Sequence, residues 1–217
     1  MMFQTMVDTP AVLGALVDAA IACGLTSLRF CECELGPQSA THIARLLRKA
    51  PLSMLSIVGQ FTRFGCSPTC VVAHHVALGS RWAVGRRRHW QRAGEPTLQE
   101  ISLDSNQIGF DDPHNTVGAC LSKLVTANSP SLHTLSLEYC KAGDDVLFPV
   151  LAALASNTTL RTVLLHGNEV SAPFARHVVL PSIRANTGLR EFKVANLYAE
   201  YRFPELSEAE ALVAKRR

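Results

Sequence analysis

The apolar residues of this chain recur in a pattern that fits neither a helix nor a strand alone. In the segment LQEISLDSNQIG, which begins at Leu98, the apolar residues Ile101, Leu103 and Ile108 occupy positions four, six and eleven, and Asn106 occupies position nine. Positions four and six are two residues apart, so both side chains point to the same face of a short strand. Position nine falls where the chain turns away from that strand. An Asn there, or more weakly a Cys, satisfies backbone groups that would otherwise be buried without a partner.

The same spacing occurs six times along the chain. Four copies are complete and two are partial, and a pattern that recurs this often predicts a repeated structural unit. The complete copies begin at Leu25, Leu98, Leu132 and Leu160, and they carry Cys33, Asn106, Cys140 and Asn168 at position nine. The partial copies begin at Leu52 and Leu189, where Gln60 and Leu197 stand at position nine.

The segments between the copies have helical spacing. Neighbouring first leucines lie 27, 28 and 29 residues apart (25 to 52, 132 to 160, 160 to 189), which leaves room for a full helix between strands. An ordinary doubly wound sheet offers no reason for so regular a period. Apolar residues recur at helical intervals in the groups Ile43, Leu46 and Leu47; Val117, Leu121, Leu124 and Val125; and Leu147, Leu151 and Leu154.

Three asparagines mark the ends of predicted helices. Asn128, Asn157 and Asn186 are each 29 residues apart, and each stands a few residues before a predicted strand. Asn tolerates the left-handed backbone conformation that ends many helices. We therefore expect a left-handed residue at each of these three positions.

These patterns predict six parallel strands with helices outside them. The strands should start near Leu25, Leu52, Leu98, Leu132, Leu160 and Leu189. The residues at position four should be buried, stacked neighbours in one sheet, and they are Leu28, Leu55, Ile101, Leu135, Val163 and Phe192. A helix over Val12, Leu16, Ala19 and Ala20 precedes the first strand and has no predicted strand of its own. Residues 1–10 therefore serve as a makeshift cap, or else the chain is a fragment.

The motif L-x-x-L-x-L-x-x-[N/C]-x-L resembles that of leucine-rich repeat proteins, and the spacing is similar to that of the long, ribonuclease-inhibitor-like subfamily. The resemblance implies an α/β fold, a curved horseshoe-shaped solenoid with a parallel β-sheet on its concave face and helices on its convex face. About six repeats would fill residues 1–198, and residues 199–217 would form a C-terminal tail or capping helix. Ser207 and Glu210 have the spacing of a capping box ahead of that helix.

Residues 61–96 interrupt the regular period. The first leucines at 52 and 98 are 46 residues apart, and five arginines and both tryptophans fall within residues 81–92. Three interpretations remain open: a solvent-facing insertion, a basic and aromatic contact for nucleic acid, and a segment that is not native coding sequence. We expect this irregular insert to be the least ordered part of the fold, because it lacks the leucines that would offset its ordering entropy.

Cysteine and histidine positions do not predict a metal site. Cys66, Cys70, His74 and His75 are zinc ligands by type, but their short intervals would place three of them along one face of a helix. A tetrahedral site normally draws its ligands from separate turns. The chain has an odd count of seven cysteines without framework spacing, which is typical of reduced thiols.

Composition and charge narrow the functional classes. The 217 residues are 47% hydrophobic and 18% charged, values typical of a folded domain with a core. The net charge of +3 is too small for the electrostatic field of the whole protein to indicate a class of partner. No apolar run is long enough to span a bilayer, and the first 24 residues do not have the pattern of a secretory signal. We therefore expect a cytoplasmic protein with no membrane partner; the nucleus is the alternative. The acceptor sequence Asn157-Thr158-Thr159 would then not be glycosylated.

The residues that point away from the core are the candidate binding site. Strands about 4.8 Å apart would bring motif positions five, seven and eight of neighbouring copies side by side. We expect a partner-binding patch in which small serines leave room for a partner's backbone, Tyr139 is an amphipathic anchor, and the carboxylates suit a basic segment. The candidate residues are Ser102, Asp104, Ser136, Glu138, Tyr139 and His166. The plain alternative is that Asp104 and Glu138 are ordinary solvated positions on a strand.

The resemblance implies a non-catalytic protein–protein interaction module. No nucleophile, base and orienting residue share a motif, no glycine-rich phosphate loop occurs, and no cofactor or metal is expected. The same subfamily includes the activator of the Ran GTPase, so a GTPase-activating or other regulatory protein of that type is one alternative, by analogy of fold alone. A nucleic-acid contact through the basic insert is the other alternative, although a protein partner is expected.

Overall fold

The structure, a computed structural model, describes residues 2–4, 10–31, 39–59, 98–106, 108, 116–195 and 203–216. The predictions for residues 61–96, including the candidate zinc ligands and the basic insert, lie outside the described residues.

Short strands alternate with helices along the described chain. The strands are β1 (Met2–Gln4), β2 (Ser27–Cys31), β3 (Met54–Val58), β4 (Glu100–Ser102), β5 (Thr134–Ser136), β6 (Thr162–Leu164) and β7 (Glu191–Lys193). The helices are α1 (Pro10–Ala22), α2 (Ser39–Lys49), α3 (Thr116–Thr126), α4 (Asp144–Leu154), α5 (Ala172–Phe174), α6 (Leu180–Ala185) and α7 (Pro204–Ala214). A π-helical turn (Ala175–Val179) joins α5 to α6. The predicted helices over residues 12–20, 43–47, 117–125 and 147–154 are confirmed by α1, α2, α3 and α4.

The seven strands of the described ranges form one parallel sheet whose spatial order is the order of the chain. The α/β class and the parallel sheet are therefore confirmed. Each strand from β2 to β7 begins two residues after the first leucine of its motif copy. The predicted column is also confirmed, because its six residues are paired in register and are at most 3% exposed. The pairs are Leu28–Leu55, Leu55–Ile101, Ile101–Leu135, Leu135–Val163 and Val163–Phe192.

The described residues contain the six predicted strands and one further strand, β1, which was not predicted. β1 pairs in parallel with β2, with Phe3 opposite Phe30, so α1 does have a preceding strand. The three residues of β1, MFQ, follow no leucine of the motif and are too few to show a period. The pattern therefore had no means of detecting this strand.

A single core lies between the sheet and the helices. The column at position four is joined by the buried residues at position six, such as Phe30 and Leu137, and the helices add apolar side chains such as Leu13, Ile43 and Leu121 to the same cluster. The amphipathic spacing of the helices is the physical reason, since one face of each helix covers the apolar face of the sheet.

The polar residue at position nine has the predicted role. The Asn168 side-chain amide donates to the carbonyls of Leu137 and Leu165, both at 2.8 Å, and its oxygen accepts from the Cys140 and Ala142 N–H groups at 3.2 and 3.0 Å. The Cys140 thiol donates to the Leu103 carbonyl at 3.1 Å. These side chains replace backbone partners at the turn and link neighbouring motif copies.

The three helix-end asparagines differ in backbone and in environment, because Asn157 and Asn186 are buried, whereas the exposed Asn128 accepts the Thr158 backbone N–H at 2.9 Å through its side-chain oxygen. Asn128 has the expected left-handed φ of 50°, whereas Asn186 is extended (φ −72°, ψ 131°) and Asn157 is not among the left-handed residues. The left-handed prediction is therefore wrong for Asn157 and Asn186. The reason is loop length: three residues lie between Asn128 and the next first leucine, Leu132, but only two lie between Asn157 and Leu160.

The two buried helix-end asparagines, Asn157 and Asn186, donate to carbonyls of the preceding motif copy. The Asn157 amide donates to the Val125 carbonyl at 2.7 Å, and the Asn186 amide donates to the Leu154 and Asn157 carbonyls at 2.7 and 2.8 Å. Asn157 is 3% exposed, so the amide of the glycosylation acceptor sequence is buried and bonded.

A one-residue insertion coincides with the π-helical turn. From position nine to the helix-end asparagine, the interval is 17 residues between Cys140 and Asn157 but 18 between Asn168 and Asn186. The turn at Ala175–Val179 lies inside the longer interval. A π turn accommodates one extra residue without breaking a helix, so both ends of this segment keep their place in the fold.

The C-terminal helix α7 packs beside the last strand. It begins at Pro204 rather than at the predicted capping box, because Ser207 and Glu210 both lie inside it. The Glu210 carboxylate accepts the Val194 backbone N–H at 2.9 Å, and two ion pairs, Arg176–Glu205 and Arg184–Glu208, join α7 to the segment before β7. Within the described ranges, no helix has the length and apolar character needed to cross a membrane.

Candidate binding face

The side of the sheet opposite the core carries the candidate residues. Strand side chains alternate between faces, so motif positions three, five and seven point away from the apolar column. We call this surface the serine face, and we include in it the position-eight residues that follow the strands, such as Tyr139. Position five reads Arg29, Ser56, Ser102, Ser136, Leu164 and Lys193, and position seven reads Cys31, Val58, Asp104, Glu138, His166 and Ala195.

The serine column is occupied by its own hydrogen bonds. Ser56, Ser102 and Ser136 are 5%, 6% and 3% exposed. The Ser102 and Ser136 hydroxyls donate to the two oxygens of Asp104 at 2.7 and 2.5 Å, and the Ser56 hydroxyl makes a longer contact of 3.4 Å with that of Ser102. The serines therefore hold Asp104 in place, a role that the sequence did not reveal.

Asp104 connects two neighbouring strands. One of its oxygens accepts the Ser136 hydroxyl and also the Glu138 backbone N–H, the latter at 2.8 Å, while its other oxygen accepts the Ser102 hydroxyl. Three donors on one carboxylate fix its position. Its main structural effect is to fix the turn that follows β5.

Glu138 is adjacent to Asp104 but has a different environment. Its carboxylate makes no hydrogen bond or ion pair with any residue of the described part of the chain. Partial burial raises the pKa of Glu138 above its ordinary value of 4.5, the charge of Asp104 raises it further, and His166 opposes both effects. Glu138 thus lies between Asp104 and His166 and forms no ion pair with a described residue.

Tyr139 is an exposed aromatic residue held in a fixed position. It is 48% exposed and has a left-handed φ of 55°. One side of its ring lies against Gly167, where a Cβ would overlap the ring, and the rings of Tyr139 and His166 make a T-shaped contact, with 5.2 Å between centroids and 80° between planes. Its backbone N–H donates to the His166 carbonyl at 2.8 Å.

The left-handed backbone of Tyr139 belongs to a series at motif position eight. Gly59, Ser105, Tyr139 and Gly167 all have positive φ, at 70°, 57°, 55° and 75°. Each of their N–H groups donates to the carbonyl at position seven of the next copy, at 2.7 to 3.3 Å. The two glycines were the available signal for this series, because glycine is favoured where φ is positive.

The structure brings all six candidate residues together in two linked groups. Ser102, Ser136, Asp104 and the backbone of Glu138 form one hydrogen-bonded group, and Tyr139 with His166 forms the other. Glu100 was not among the predicted residues. Its exposed carboxylate is at position three of β4, and its neighbours on the adjacent strands are Met54 and Thr134. Reading the position-three column would have found it.

The middle of the serine face carries negative charge. At positions three, five and seven of β3 to β6, the formal charges are those of Glu100, Asp104 and Glu138, and no Lys or Arg occurs there. The face has its own cations only further out, at Arg29 on β2 and Lys193 on β7. This arrangement favours contact with a positively charged group.

The buried thiol of Cys140 belongs to the structural hydrogen bonds of the turn. Burial raises the pKa of the Cys140 thiol to about 12, so this cysteine is an unreactive hydrogen-bond donor. Across the described ranges, no three His, Cys, Asp or Glu side chains are grouped so that they could hold a metal ion.

Comparison with known proteins assigns no family to the chain. No protein-family model matches it, and no curated protein matches it either.

Proposed function

We propose that this chain is a leucine-rich repeat protein of the ribonuclease-inhibitor-like kind, and that its function is non-catalytic binding of a partner protein through the serine face. In such a solenoid the serine face would be the concave surface. Three features support the proposal: parallel strands in chain order, hydrogen bonds that repeat from copy to copy, and Asn or Cys at position nine. Proteins of this family are built by stacking strand–helix units, each of which contacts its neighbours.

The observation that carries the binding function is Tyr139. What distinguishes Tyr139 from another exposed aromatic residue, Phe148, is that Gly167 and His166 hold its ring in place. Rigid, half-exposed tyrosines are common binding hot spots, because they offer contact area at little cost in conformational entropy. No observation on the described residues favours a GTPase activator or a nucleic-acid contact.

The test is affinity capture with the intact chain, followed by affinity measurement on the captured partner. Tyr139→Ala should weaken binding by about 1–3 kcal/mol, within the usual range for an aromatic anchor. Glu138→Lys should mainly slow association, and more so at low salt, because the charge steers the encounter.

Phe148→Ala is the matched control. Phe148 is also an exposed aromatic residue, at 54%, but it lies on helix α4. Its truncation should leave binding unchanged. Unaltered capture by the double variant Tyr139→Ala with Glu138→Lys would move the binding site away from the serine face.

A further inference from the structure

Two carboxylates lie side by side on the serine face, and only one is available to a ligand. The oxygens of Asp104 already accept three hydrogen bonds, from Ser102, Ser136 and the Glu138 backbone. The Glu138 carboxylate has no hydrogen bond or ion pair with a described residue. Asp104 is therefore a positioning residue that fixes the turn, and Glu138 is the acidic group that a partner meets.

The electrostatic setting of Glu138 selects a cation. Partial burial and the neighbouring charge of Asp104 raise its pKa, and the opposing effect of His166 does not cancel them, so the charged carboxylate is disfavoured in the free protein. A positive group beside it would offset the repulsion between the two carboxylates. The cations of the face do not serve this purpose, since Lys193 is two strands away from β5 and Arg29 is three, at about 4.8 Å per strand.

Tyr139 adds a flat surface next to this carboxylate. One side of the ring is covered by Gly167, and the exposure of 48% leaves the remainder to solvent. Its left-handed backbone, its N–H bond to the His166 carbonyl and the T-shaped contact with the His166 ring fix the position of the ring before any partner arrives. A surface fixed in advance binds at a lower entropic cost.

We propose that the partner contributes an arginine side chain, whose guanidinium stacks on the exposed side of the Tyr139 ring and pairs with the Glu138 carboxylate. This inference rests on the proposed function, because it names the partner's chemistry at the same site. Arginine fits better than lysine because its planar guanidinium stacks on an aromatic ring and binds a carboxylate through two N–H donors at once. An ammonium group supplies the charge without the plane.

The experiment uses the full chain and three labelled octapeptides. The first alternates arginine with glycine, the second has lysine in place of arginine, and the third has citrulline, which keeps the planar shape but is neutral. We expect fluorescence anisotropy to show binding of the arginine peptide, binding of the lysine peptide about threefold or more weaker, and no binding of the citrulline peptide. In NMR titrations the amide signals of residues 138–140 and 166–168 should shift.

Variants locate the interaction on the named pair. Glu138→Gln and Tyr139→Leu should each weaken binding of the arginine peptide about threefold to tenfold. The control Glu169→Gln alters an exposed carboxylate outside the serine face and should have no effect. Glu138→Gln changes a partly exposed side chain, so it remains a valid test if Tyr139→Leu fails to fold.

Equal binding of the citrulline peptide, or equal affinity in Glu138→Gln and wild type, would overturn the arginine proposal. So would the absence of peptide binding while partner capture still depends on Tyr139 and Glu138, and that result would leave the protein-binding function intact. If partner capture is unchanged in the double variant Tyr139→Ala with Glu138→Lys, that result would overturn the proposed binding through the serine face, and this inference with it.

Discussion

Glu138 is placed where its own ionisation is disfavoured. Partial burial and Asp104 act in the same direction on its pKa, and the attraction of His166 does not cancel them. Natural proteins often retain a residue that lowers stability where that residue serves binding. Glu138 fits this description, since it is a carboxylate beside an exposed aromatic ring.

Replacing Glu138 with Gln should stabilise the fold at neutral pH. The pKa of Glu138 is raised in the folded state above its ordinary value of 4.5, so the folded protein holds the proton more tightly than the unfolded chain does. The stability that the neutral carboxyl contributes is complete below about pH 4.5 and is lost as the pH rises through the folded value. Glu138→Gln should therefore raise the Tm at pH 7, and this gain should vanish below pH 4. An equal gain at both pH values, or the same profile in Glu169→Gln, would contradict this prediction.

Asn168 is a single residue on which four backbone groups depend. Its side chain bonds to the Leu137 and Leu165 carbonyls and to the Cys140 and Ala142 N–H groups, and it is 1% exposed. Asn168→Ala would leave these buried groups without partners. We expect a loss of about 2–5 kcal/mol in the free energy of unfolding, measured by urea denaturation. The neighbouring substitution Glu169→Ala, on an exposed side chain, should cost less than about 0.5 kcal/mol.

At the scale of elements, the turns after the strands decide the shape of the binding face. Every described residue at motif position eight is left-handed, so the chain turns in the same way after β3, β4, β5 and β6. A left-handed non-glycine residue carries a cost of about 1–2 kcal/mol. Ser105 and Tyr139 bear that cost, and the repeated N–H bonds to the next copy compensate for it.

Gly167→Ala tests the contact between two of these turns. The substitution adds a Cβ at a φ of 75° and in the space that the Tyr139 ring occupies, so both backbone strain and overlap should destabilise the fold by about 1–3 kcal/mol in total. In a Tyr139→Ala background only the strain remains, and the cost should fall. A double-mutant cycle by chemical denaturation measures the difference. A coupling energy of zero would show that the ring does not depend on Gly167.

The elements that the sequence predicted are those whose signal is periodic. The strands β2 to β7 and their register follow from leucines at fixed intervals, and the buried Asn168 follows from its place in the motif. Hydrogen bonds between side chains of different copies leave no periodic pattern in the sequence. For this reason Ser102 and Ser136 were expected to leave space for a partner, whereas their hydroxyls bind Asp104. The strand β1 has only three residues, too few to show a period. The extended backbone of Asn186 depends on the length of the following loop, which the motif does not specify.

At the scale of the whole molecule, one core extends from α1 and β2 to α7. Leu135 lies in its central column, between Ile101 and Val163, and is fully buried. Leu135→Ala should lower the free energy of unfolding by about 2–5 kcal/mol, as expected when a buried leucine is truncated. Leu164→Ala is the matched control, since that leucine is half-buried on the serine face of the next strand, and its cost should be clearly smaller. Equal losses at the two sites would mean that the sheet is covered on both faces.

The bond from Val194 to Glu210 bears on self-association. The last strand of a sheet presents N–H and C=O groups that readily accept a strand from another molecule, and this is a common route to aggregation. In this chain a carboxylate oxygen from α7 takes the Val194 N–H at 2.9 Å, where a neighbouring strand's carbonyl would otherwise bind. Because a charged acceptor competes well with a peptide carbonyl, this bond disfavours the addition of a strand at the Val194 N–H. The solubility of the chain at high concentration should therefore depend on Glu210 more than on any other residue of α7, and Glu210→Ala should form aggregates sooner in light-scattering measurements.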